Sequence, residues 1–325
     1  MIRLIVSESS PIVMIQKLDL INCQKRIAPF IHHTPVLNSI QLNKLSGVDL
    51  YFKCENFQKI GAFKMRGATN AVLQLSDEQK KKGVVTHSSG NFAQALALAA
   101  QNIGVRSFIV MPSNASQVKK DAVIGYGGEI TECESTPAAR ENEAKRIKNE
   151  KGATFIHPFD NREVIVGQAT ACVELLEEYP DLDAVFAPVG GGGLIAGTAL
   201  AASFFSKTCK TFAGEPFEVD DAFRSMQSGK IEFNKTTNTI ADGLRTHLGK
   251  INFPIIQKHV AGVIRVTESE IIEAMKLIWE RMKIIVEPSS AVAFAALLKE
   301  KEKFKNKKVG IILSGGNIDL KALPF

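Results

Sequence analysis

Short apolar segments rich in β-branched residues alternate with longer helical patterns along almost the whole chain. Helical patterns cover residues 91–103, 137–150, 164–179 and 268–282. Strands are predicted around them at 49–53, 83–87, 107–111, 129–133, 154–158, 184–188, 211–215, 262–266, 284–287 and 309–313. This alternation favours parallel sheets with helices on both faces. The sequence therefore predicts an α/β fold.

Ten predicted strands are many for one twisted open sheet, so two sheets are favoured. Four of these strands fall within residues 73–157. We therefore predict a small lobe formed by 73–157, inserted into a large lobe formed by 1–72 and 158–325. The length of 325 residues agrees with this division, because domains commonly span about 100–200 residues.

Composition excludes several classes of protein. With 45% hydrophobic and 23% charged residues, the chain is neither disordered nor collagen-like. The five cysteines are widely spaced and contain no C-x-x-C pair, which indicates reduced thiols rather than disulfides or a zinc site. No apolar stretch approaches the roughly 20 residues of a membrane span, and the first residues lack the apolar run of a signal peptide. We expect a cytoplasmic protein without a membrane partner.

The net charge of +6 is spread over lysine clusters at 80–82, 119–120 and 299–308, which lie among acidic residues or on predicted helix surfaces. A nucleic-acid interface would concentrate this charge and interleave it with aromatic side chains. We interpret the clusters as solvated surfaces and expect no nucleic-acid partner.

A run of four glycines is the first candidate binding loop. Ligands of open α/β sheets bind beyond the carboxyl ends of the strands. Gly190, Gly191, Gly192 and Gly193 follow the predicted strand 184–188 and begin a helix, so their backbone N–H groups would meet at the positive end of a helix dipole. This arrangement suits a phosphate, although no Gly-Lys-Ser/Thr of a P-loop follows. A flexible tight turn is the alternative.

Lys64 begins another predicted helix, after Gly61 and close to Arg66. The helix dipole and the charge of Arg66 would both lower its pKa, as a Schiff-base lysine requires. An ordinary surface lysine is the alternative, because the chain contains 40 Lys and Arg residues.

Two other loops place polar side chains at strand ends. Ser88, Ser89 and Asn91 lie between the strand 83–87 and a helix, where hydroxyls, an amide and backbone N–H groups can hold a carboxylate. Ser314 begins a similar loop after the last predicted strand. For both loops, a simple capping turn is the alternative.

An acidic loop contains Glu215, Asp220 and Asp221, which are oxygen ligands suited to Mg²⁺ or Ca²⁺. The alternative is a glutamate at a strand end and an aspartate that caps the next helix. The six histidines lack the spacing of a zinc site, and no G-x-S-x-G motif of a serine hydrolase is present.

Together and in this order, the loops resemble the fold-type II pyridoxal-phosphate (PLP) enzymes, in particular the serine racemase and serine/threonine dehydratase family. The resembling motifs are HTPV at 33–36, KCENFQ at 53–58, GAFKMRGA at 61–68, SSGN at 88–91, GGGG at 190–193 and SGGN at 314–317. They extend over nearly the whole chain, and the ordered set is specific although each motif alone is weak. The resemblance implies a two-lobed fold similar to the tryptophan synthase β subunit, a mobile small lobe, a homodimer and an amino-acid substrate.

The same resemblance implies which residues bind PLP. Lys64 would bind it covalently, with Phe63 beside the ring. Asn91 would bond the ring hydroxyl, Gly190 to Gly193 the phosphate, and Ser314 the pyridine nitrogen, which a hydroxyl would leave unprotonated.

Substrate roles are implied as well. Ser88, Ser89, Asn91 and nearby N–H groups would surround the substrate, with its carboxylate on Ser88 and Asn91. Ser89 matches the hydroxyl that faces the lysine in serine racemases, where many threonine dehydratases have Ala. Lys64 and Ser89 would exchange the Cα proton on opposite faces, and loss of the β-hydroxyl would give pyruvate and ammonia. Arg140 matches a position that helps receive substrate from the small lobe, so lobe closure would gate the reaction.

Two regulatory sites follow from the resemblance. Glu215, Asp221 and the carbonyl of Val219 match the Mg²⁺ or Ca²⁺ site of eukaryotic serine racemases. Gln94 and Tyr126 match positions that contact ATP in animal serine racemases.

The chain departs from the family pattern in three places. Phe92 replaces the usual His after Ser-Gly-Asn, and Phe217 and Glu218 replace small polar residues of the metal loop. Phe159 replaces an Asn that, in animal serine racemases, helps bind ATP at the dimer interface. We therefore expect ATP to stimulate weakly or only at high concentration, unless Asp160 or Asn161 substitutes for the missing amide.

The sequence thus predicts a cytoplasmic, homodimeric PLP enzyme that acts on serine as racemase and dehydratase. A threonine or threo-3-hydroxyaspartate dehydratase using the same Lys64 is the alternative enzyme. A PLP-binding or amino-acid-sensing protein without turnover is the alternative from another class.

Overall fold

The strands and helices of a computed structural model follow the predicted alternation. The model describes residues 14–115 and 117–325. The strands are β1 Val36–Leu37, β2 Asp49–Cys54, β3 Val84–His87, β4 Ser107–Pro112, β5 Gly128–Cys133, β6 Thr154–Phe155, β7 Ala184–Pro188, β8 Lys210–Pro216, β9 Val260–Val266 and β10 Lys308–Leu313. The α-helices are α1 Lys17–Ile27, α2 Ile40–Ser46, α3 Lys64–Leu73, α4 Asp77–Lys82, α5 Asn91–Gln101, α6 Gln117–Gly125, α7 Pro137–Lys151, α8 Arg162–Glu178, α9 Gly193–Phe205, α10 Asp221–Ser228, α11 Asn252–His259, α12 Glu268–Met282 and α13 Pro288–Lys299.

The strands form two sheets, as the sequence predicts. The larger sheet has the order β1-β2-β10-β7-β8-β9 and is parallel except for β1, which runs antiparallel to β2. The smaller sheet has the order β5-β4-β3-β6 and is parallel throughout. Its strands lie inside the predicted small lobe, 73–157. The part of the molecule around the smaller sheet is called the small lobe here, and the part around the larger sheet the large lobe. The exact boundaries of the two lobes and the mobility of the small lobe stay predictions.

Helices cover both faces of the larger sheet, which explains its uninterrupted apolar strands. All five residues of β7 are buried, and so are five of the six in β10. One core packs this sheet against α1, α8, α9 and α11, and the other packs it against α2, α12 and α13. A third core joins α3 and α5 to the smaller sheet. The sheet edges that carry the candidate loops are therefore held by a large packed interior. In the described part of the chain, no helix has the length and apolar character needed to span a bilayer.

One predicted strand is wrong. Residues 284–287 are extended but pair with no strand in the described structure. The carbonyl of Val286 accepts the indole N–H of Trp279 (3.0 Å), and that of Ile285 accepts the side-chain amide of Asn56 (3.1 Å). The segment alternates between buried and exposed residues as a strand does, but its backbone groups form hydrogen bonds with side chains and loops instead of a neighbouring strand.

The remaining predictions of these elements hold within three residues at each end. The largest shift is in the predicted strand 154–158, because β6 ends at Phe155. Strand β1 is missed, since two residues are too short for a recognisable period.

The cysteines are all free, as predicted from their spacing. Cys23, Cys54 and Cys172 are fully buried in the cores. Burial raises the pKa of Cys23 and Cys54 to about 12 and raises that of Cys172 well above its ordinary value. These thiols therefore fill the interior and are not reactive in the folded state.

Candidate active site

The predicted loops meet at one edge of the fold, because each follows the carboxyl end of a parallel strand. The N–H of Phe63 donates to the carbonyl of Ser314 (3.0 Å), which ties the Lys64 loop to the end of β10. The amide of Asn317 donates to Asn91 Oδ1 (2.9 Å), which links the same loop to the start of α5 in the small lobe. The structure thus brings Lys64, Asn91 and Ser314 into one cleft.

Lys64 is the first residue of α3, as predicted, and Phe63 precedes it at the N-cap. Its ammonium donates to the carbonyl of Pro158 (3.0 Å) and lies 5.0 Å from the ring centre of Phe63. Burial lowers the pKa of Lys64 to about 8, while the negative charge of Glu287 partly opposes this shift. The direction of the predicted pKa shift is therefore confirmed, and a neutral amine is accessible near neutral pH.

The predicted contribution of Arg66 to that shift is wrong. Arg66 is fully buried and points away from the cleft, where its guanidinium makes two hydrogen bonds to Glu55 (2.7 and 2.8 Å) and two to Glu174 (2.6 and 2.8 Å). Lys53, also fully buried, donates to Glu174 (2.6 Å). Two cations and two carboxylates cancel in this buried quartet, so burial rather than the charge of Arg66 explains the pKa of Lys64.

The glycine run has the form of an anion cradle. The N–H groups of Gly190 to Gly193 make no hydrogen bond to any of the described residues. A Cβ atom on Gly191 would lie 2.3 Å from the ring of Phe159, and one on Gly190 would lie 2.7 Å from the Cα of Leu244. Gly192 has a φ of +89° immediately before α9. Unpaired N–H groups at the start of a 13-residue helix fit a phosphate.

The small-lobe side of the cleft carries hydroxyls and a guanidinium. Ser88 Oγ accepts the N–H of Gly90 (3.4 Å), whereas the hydroxyl of Ser89 has no hydrogen-bond partner in the described structure. Arg140, on α7, contacts the carbonyl of Thr136 at 3.4 Å. These groups lie at the carboxyl end of β3 and beside it.

Glu287 and Asn317 are site residues that the sequence analysis missed. Asn91 Nδ2 donates to both carboxylate oxygens of Glu287 (3.2 Å each), and the N–H of Asn317 donates to one of them (3.2 Å). Burial raises the pKa of Glu287 to about 7. The amide of Asn91 is thereby fixed in orientation. The available signal was a glutamate directly before Pro288 at the start of α13, which was interpreted as the end of a strand.

The acidic loop is buried between β8 and α10. Glu215 accepts the N–H groups of Ala222 and Phe223 (2.8 Å each), so Glu215, rather than an aspartate, caps α10. Asp221 accepts the N–H of Leu248 (3.0 Å) and the side-chain amide of Asn234 (2.6 Å). The alternative interpretation of this loop, a strand-end glutamate followed by a capped helix, is therefore partly correct.

Among the described residues, no cation bonds to these two carboxylates as Arg66 and Lys53 bond to Glu174, and Arg224, which is paired with Asp220, only partly opposes the rise in the pKa of Asp221. Burial, with their mutual repulsion, raises the pKa of Glu215 well above its ordinary value, and burial raises that of Asp221 to about 7. Burial opposes ionisation of Glu174 too, but its bonds to Arg66 and Lys53 lower its pKa. Buried carboxylates that bond to no cation of the protein fit a divalent cation.

The donor set of such a cation would include a backbone group. Across the described ranges, no three His, Cys, Asp or Glu side chains cluster as metal ligands. Val219 lies buried in the short turn between Glu215 and Asp221, where its carbonyl is the candidate third donor.

The candidate nucleotide residues lie in the small lobe. Gln94 is on α5, and Tyr126 follows α6 and packs against the core that contains α5. The ring of Phe159 packs against Gly191 and lies 4.5 Å, between ring centres, from His157. Phe92 is buried, with its ring centre 5.8 Å from Lys64 Nζ.

A low-pKa lysine, together with a helix terminus whose N–H groups are unpaired in the described structure, fits a carbonyl cofactor that carries a phosphate. The family model for pyridoxal-phosphate dependent enzymes matches residues 27–315. The chain therefore belongs to the family of pyridoxal-phosphate dependent enzymes.

Its relatives include serine racemases and a hydroxyaspartate dehydratase. The chain is 50% identical to a serine racemase of Dictyostelium discoideum, with 96% of this chain and 98% of the relative covered. It is 47% identical to a beta-hydroxyaspartate dehydratase of Paracoccus denitrificans, with 94% and 98% covered. The crystal structure of the Dictyostelium discoideum serine racemase aligns with a TM-score of 0.90, at 52% identity, over 93% of this chain and 98% of that chain. The fold-type II architecture is confirmed.

Proposed function

We propose that this protein is a serine racemase that also eliminates water from serine. The observation that carries the proposal is a pair of proton-transfer groups at the cleft. Lys64 has a pKa lowered to about 8, and Ser89 has a hydroxyl with no partner among the described residues. The identity with serine racemases over nearly the full chain supports it.

Cofactor binding is assigned to the large-lobe side of the cleft. Lys64 would hold PLP covalently beside Phe63, the N–H groups of Gly190 to Gly193 would hold its phosphate, and Ser314 would bond the ring nitrogen. Asn91, oriented by Glu287, would bond the ring hydroxyl. When bound, PLP supplies an electron sink for the carbanion left at Cα.

The protein supplies the proton transfers. Lys64 Nζ takes the Cα proton on one face, and Ser89 Oγ delivers a proton on the other, which inverts the configuration. If the β-hydroxyl leaves first, the product hydrolyses to pyruvate and ammonia. Ser88 and Asn91 orient the substrate carboxylate, and Arg140 attracts it from the small lobe.

The proposal also covers a metal site, the movement of the small lobe, the oligomeric state and the location of the protein. Glu215, Asp221 and the carbonyl of Val219 bind Mg²⁺ or Ca²⁺, supported by two buried carboxylates that bond to no cation among the described residues. The small lobe, 73–157, closes over the substrate. The enzyme is a cytoplasmic homodimer, for which five free thiols support a reducing compartment.

Products from three substrates test the proposal. The purified protein is incubated with L-serine, L-threonine and threo-3-hydroxyaspartate, and the products are separated by chiral chromatography. We expect D-serine and pyruvate from L-serine. Turnover of none of the three would favour a binding or sensing protein.

A dehydratase of threo-3-hydroxyaspartate is the second candidate, favoured by the 47% identity to a beta-hydroxyaspartate dehydratase. It uses the same Lys64, and the same experiment separates the two. Fast elimination from threo-3-hydroxyaspartate without D-serine from L-serine would select it.

A further inference from the structure

Asn252 is a buried polar residue beneath the glycine run that the proposed mechanism does not use. It is the first residue of α11 and is fully buried. Its Nδ2 donates to the carbonyl of Gly191 (2.7 Å), and its Oδ1 accepts the N–H of Gly249 (3.1 Å). Both ends of the amide are therefore engaged, which fixes the side chain.

The bond to Gly191 controls a peptide whose other end faces the proposed phosphate. In a trans peptide the C=O and N–H groups point in opposite directions. Because Asn252 holds the carbonyl of Gly191, the N–H of Gly192 points away from Asn252.

That peptide lies between two glycines, and glycines rotate with little steric resistance. Gly192 already has a φ of +89°. A Cβ atom on Gly192 would lie 2.5 Å from Asn252 Oδ1, so the two residues are in direct contact. An external bond is thus needed to hold one orientation of the peptide.

Asn252 is itself held in place from the opposite side. The carboxylate of Asp160 accepts the N–H groups of Lys250 (2.9 Å), Ile251 (2.8 Å) and Asn252 (3.2 Å) at the start of α11. The ring of Phe159, the residue before Asp160, packs against Gly191. Residues 159–160 and Asn252 therefore surround the glycine run on its protein side.

We propose that Asn252 is a positioning residue, which holds the Gly191–Gly192 peptide so that its N–H is presented to the phosphate of the cofactor. The inference rests on the proposed assignment of the phosphate to this run. It adds a residue that lies 61 positions along the chain from the carbonyl it holds.

Comparing PLP with pyridoxal, which has the same ring and aldehyde but no phosphate, isolates this role. Apoprotein is titrated with each compound, and binding is followed by absorbance. We expect Asn252→Ala to weaken PLP affinity about two- to tenfold, the effect of one hydrogen bond, and to leave pyridoxal affinity unchanged. The ³¹P signal of bound PLP should shift as well.

Asn70→Ala is the matched control. Asn70 is also a fully buried asparagine whose Nδ2 donates to a backbone carbonyl, that of Glu163 (2.8 Å), but its side chain makes no hydrogen bond to the glycine run. It should destabilise the protein without changing the preference for PLP over pyridoxal. If Asn252→Ala does not fold, Asn252→Ser, too short to reach Gly191, takes its place with the same expectation.

Two results would overturn the inference, and they differ from each other. Equal losses of PLP and pyridoxal affinity, or none, in the Asn252 variants would remove the positioning role alone. A wild-type protein that binds PLP no more tightly than pyridoxal would remove the phosphate assignment itself.

Discussion

The two sides of the cleft differ in how firmly the protein holds the groups that line them. On the large-lobe side, Lys64 donates to Pro158, and Asn252 holds the carbonyl of Gly191. On the small-lobe side, the hydroxyl of Ser89 has no partner in the described structure, and Arg140 makes one long contact at 3.4 Å.

The difference indicates a division of work. Groups that are held by buried contacts before a ligand arrives need little reorganisation on binding, which suits a permanent cofactor. The side chains of Ser89 and Arg140, which the protein holds less firmly, keep their hydrogen bonds for a substrate that enters and leaves. Asn91 joins the two sides through its bonds to Glu287 and Asn317.

The largest expected effect concerns the large-lobe side. Lys64→Ala should abolish the visible absorbance of bound cofactor and all turnover, because this residue both holds PLP and takes the Cα proton. Lys59→Ala, in the same loop, is the control and should keep both. A borohydride-reducible chromophore in the Lys64 variant would show that another lysine binds the cofactor.

Ser89→Ala tests the small-lobe side. D-serine formation should fall about 10²- to 10⁴-fold, the usual loss for a positioned acid or base, while some pyruvate should still form from L-serine. Chiral chromatography and pyruvate release measure the two activities in one sample. Undiminished racemisation would disprove the role of Ser89.

Metal removal tests the acidic loop between β8 and α10. Chelation should lower the activity and the melting temperature, and Mg²⁺ or Ca²⁺ should restore both, since a native-state ligand stabilises by about 2.7 kcal/mol at a hundred times its Kd. Glu215→Gln should not respond to the metal. Asp220→Asn should still respond, because Asp220 is paired with Arg224 and Arg265. Full activity and an unchanged melting temperature in EDTA would argue against a metal.

The pKa of Lys64 predicts how the apoprotein takes up PLP. Only the neutral amine attacks the aldehyde, and burial disfavours the charged form. With a pKa of about 8, the rate should rise about tenfold per pH unit below pH 8 and level off above it. Stopped-flow absorbance measures this profile. A rise that continues to pH 10 would indicate an ordinary, solvated lysine.

The smallest expected effect is that of ATP at the small-lobe residues Gln94 and Tyr126. We propose weak activation, because Phe159 lacks the amide of the Asn that it replaces. Phe159→Asn should lower the ATP concentration for half-maximal activation about two- to tenfold. Activity is measured against ATP at fixed free Mg²⁺. Strong wild-type activation at low micromolar ATP would show that Phe159 does not weaken the site.

Features that depend on neighbouring residues could be predicted from the sequence. The alternation of strands and helices, the glycine run and the start of α3 at Lys64 all follow from patterns a few residues long. These are also the features that the structure confirms.

Features that depend on packing between distant segments could not be predicted from the sequence. Arg66 meets Glu174 across 108 positions and Asn91 meets Glu287 across 196. Because neither pairing has a local pattern, the predicted effect of Arg66 on the pKa of Lys64 was wrong and Glu287 was missed.

The raised pKa values of the buried thiols have a consequence for the kinetics of alkylation. Only a thiolate that is exposed to solvent reacts with a reagent such as iodoacetamide. Cys23 on α1, Cys54 at the end of β2 and Cys172 on α8 therefore react at the rate at which each element opens. The order in which the three become alkylated under native conditions would rank the opening of these three elements, without any label being introduced.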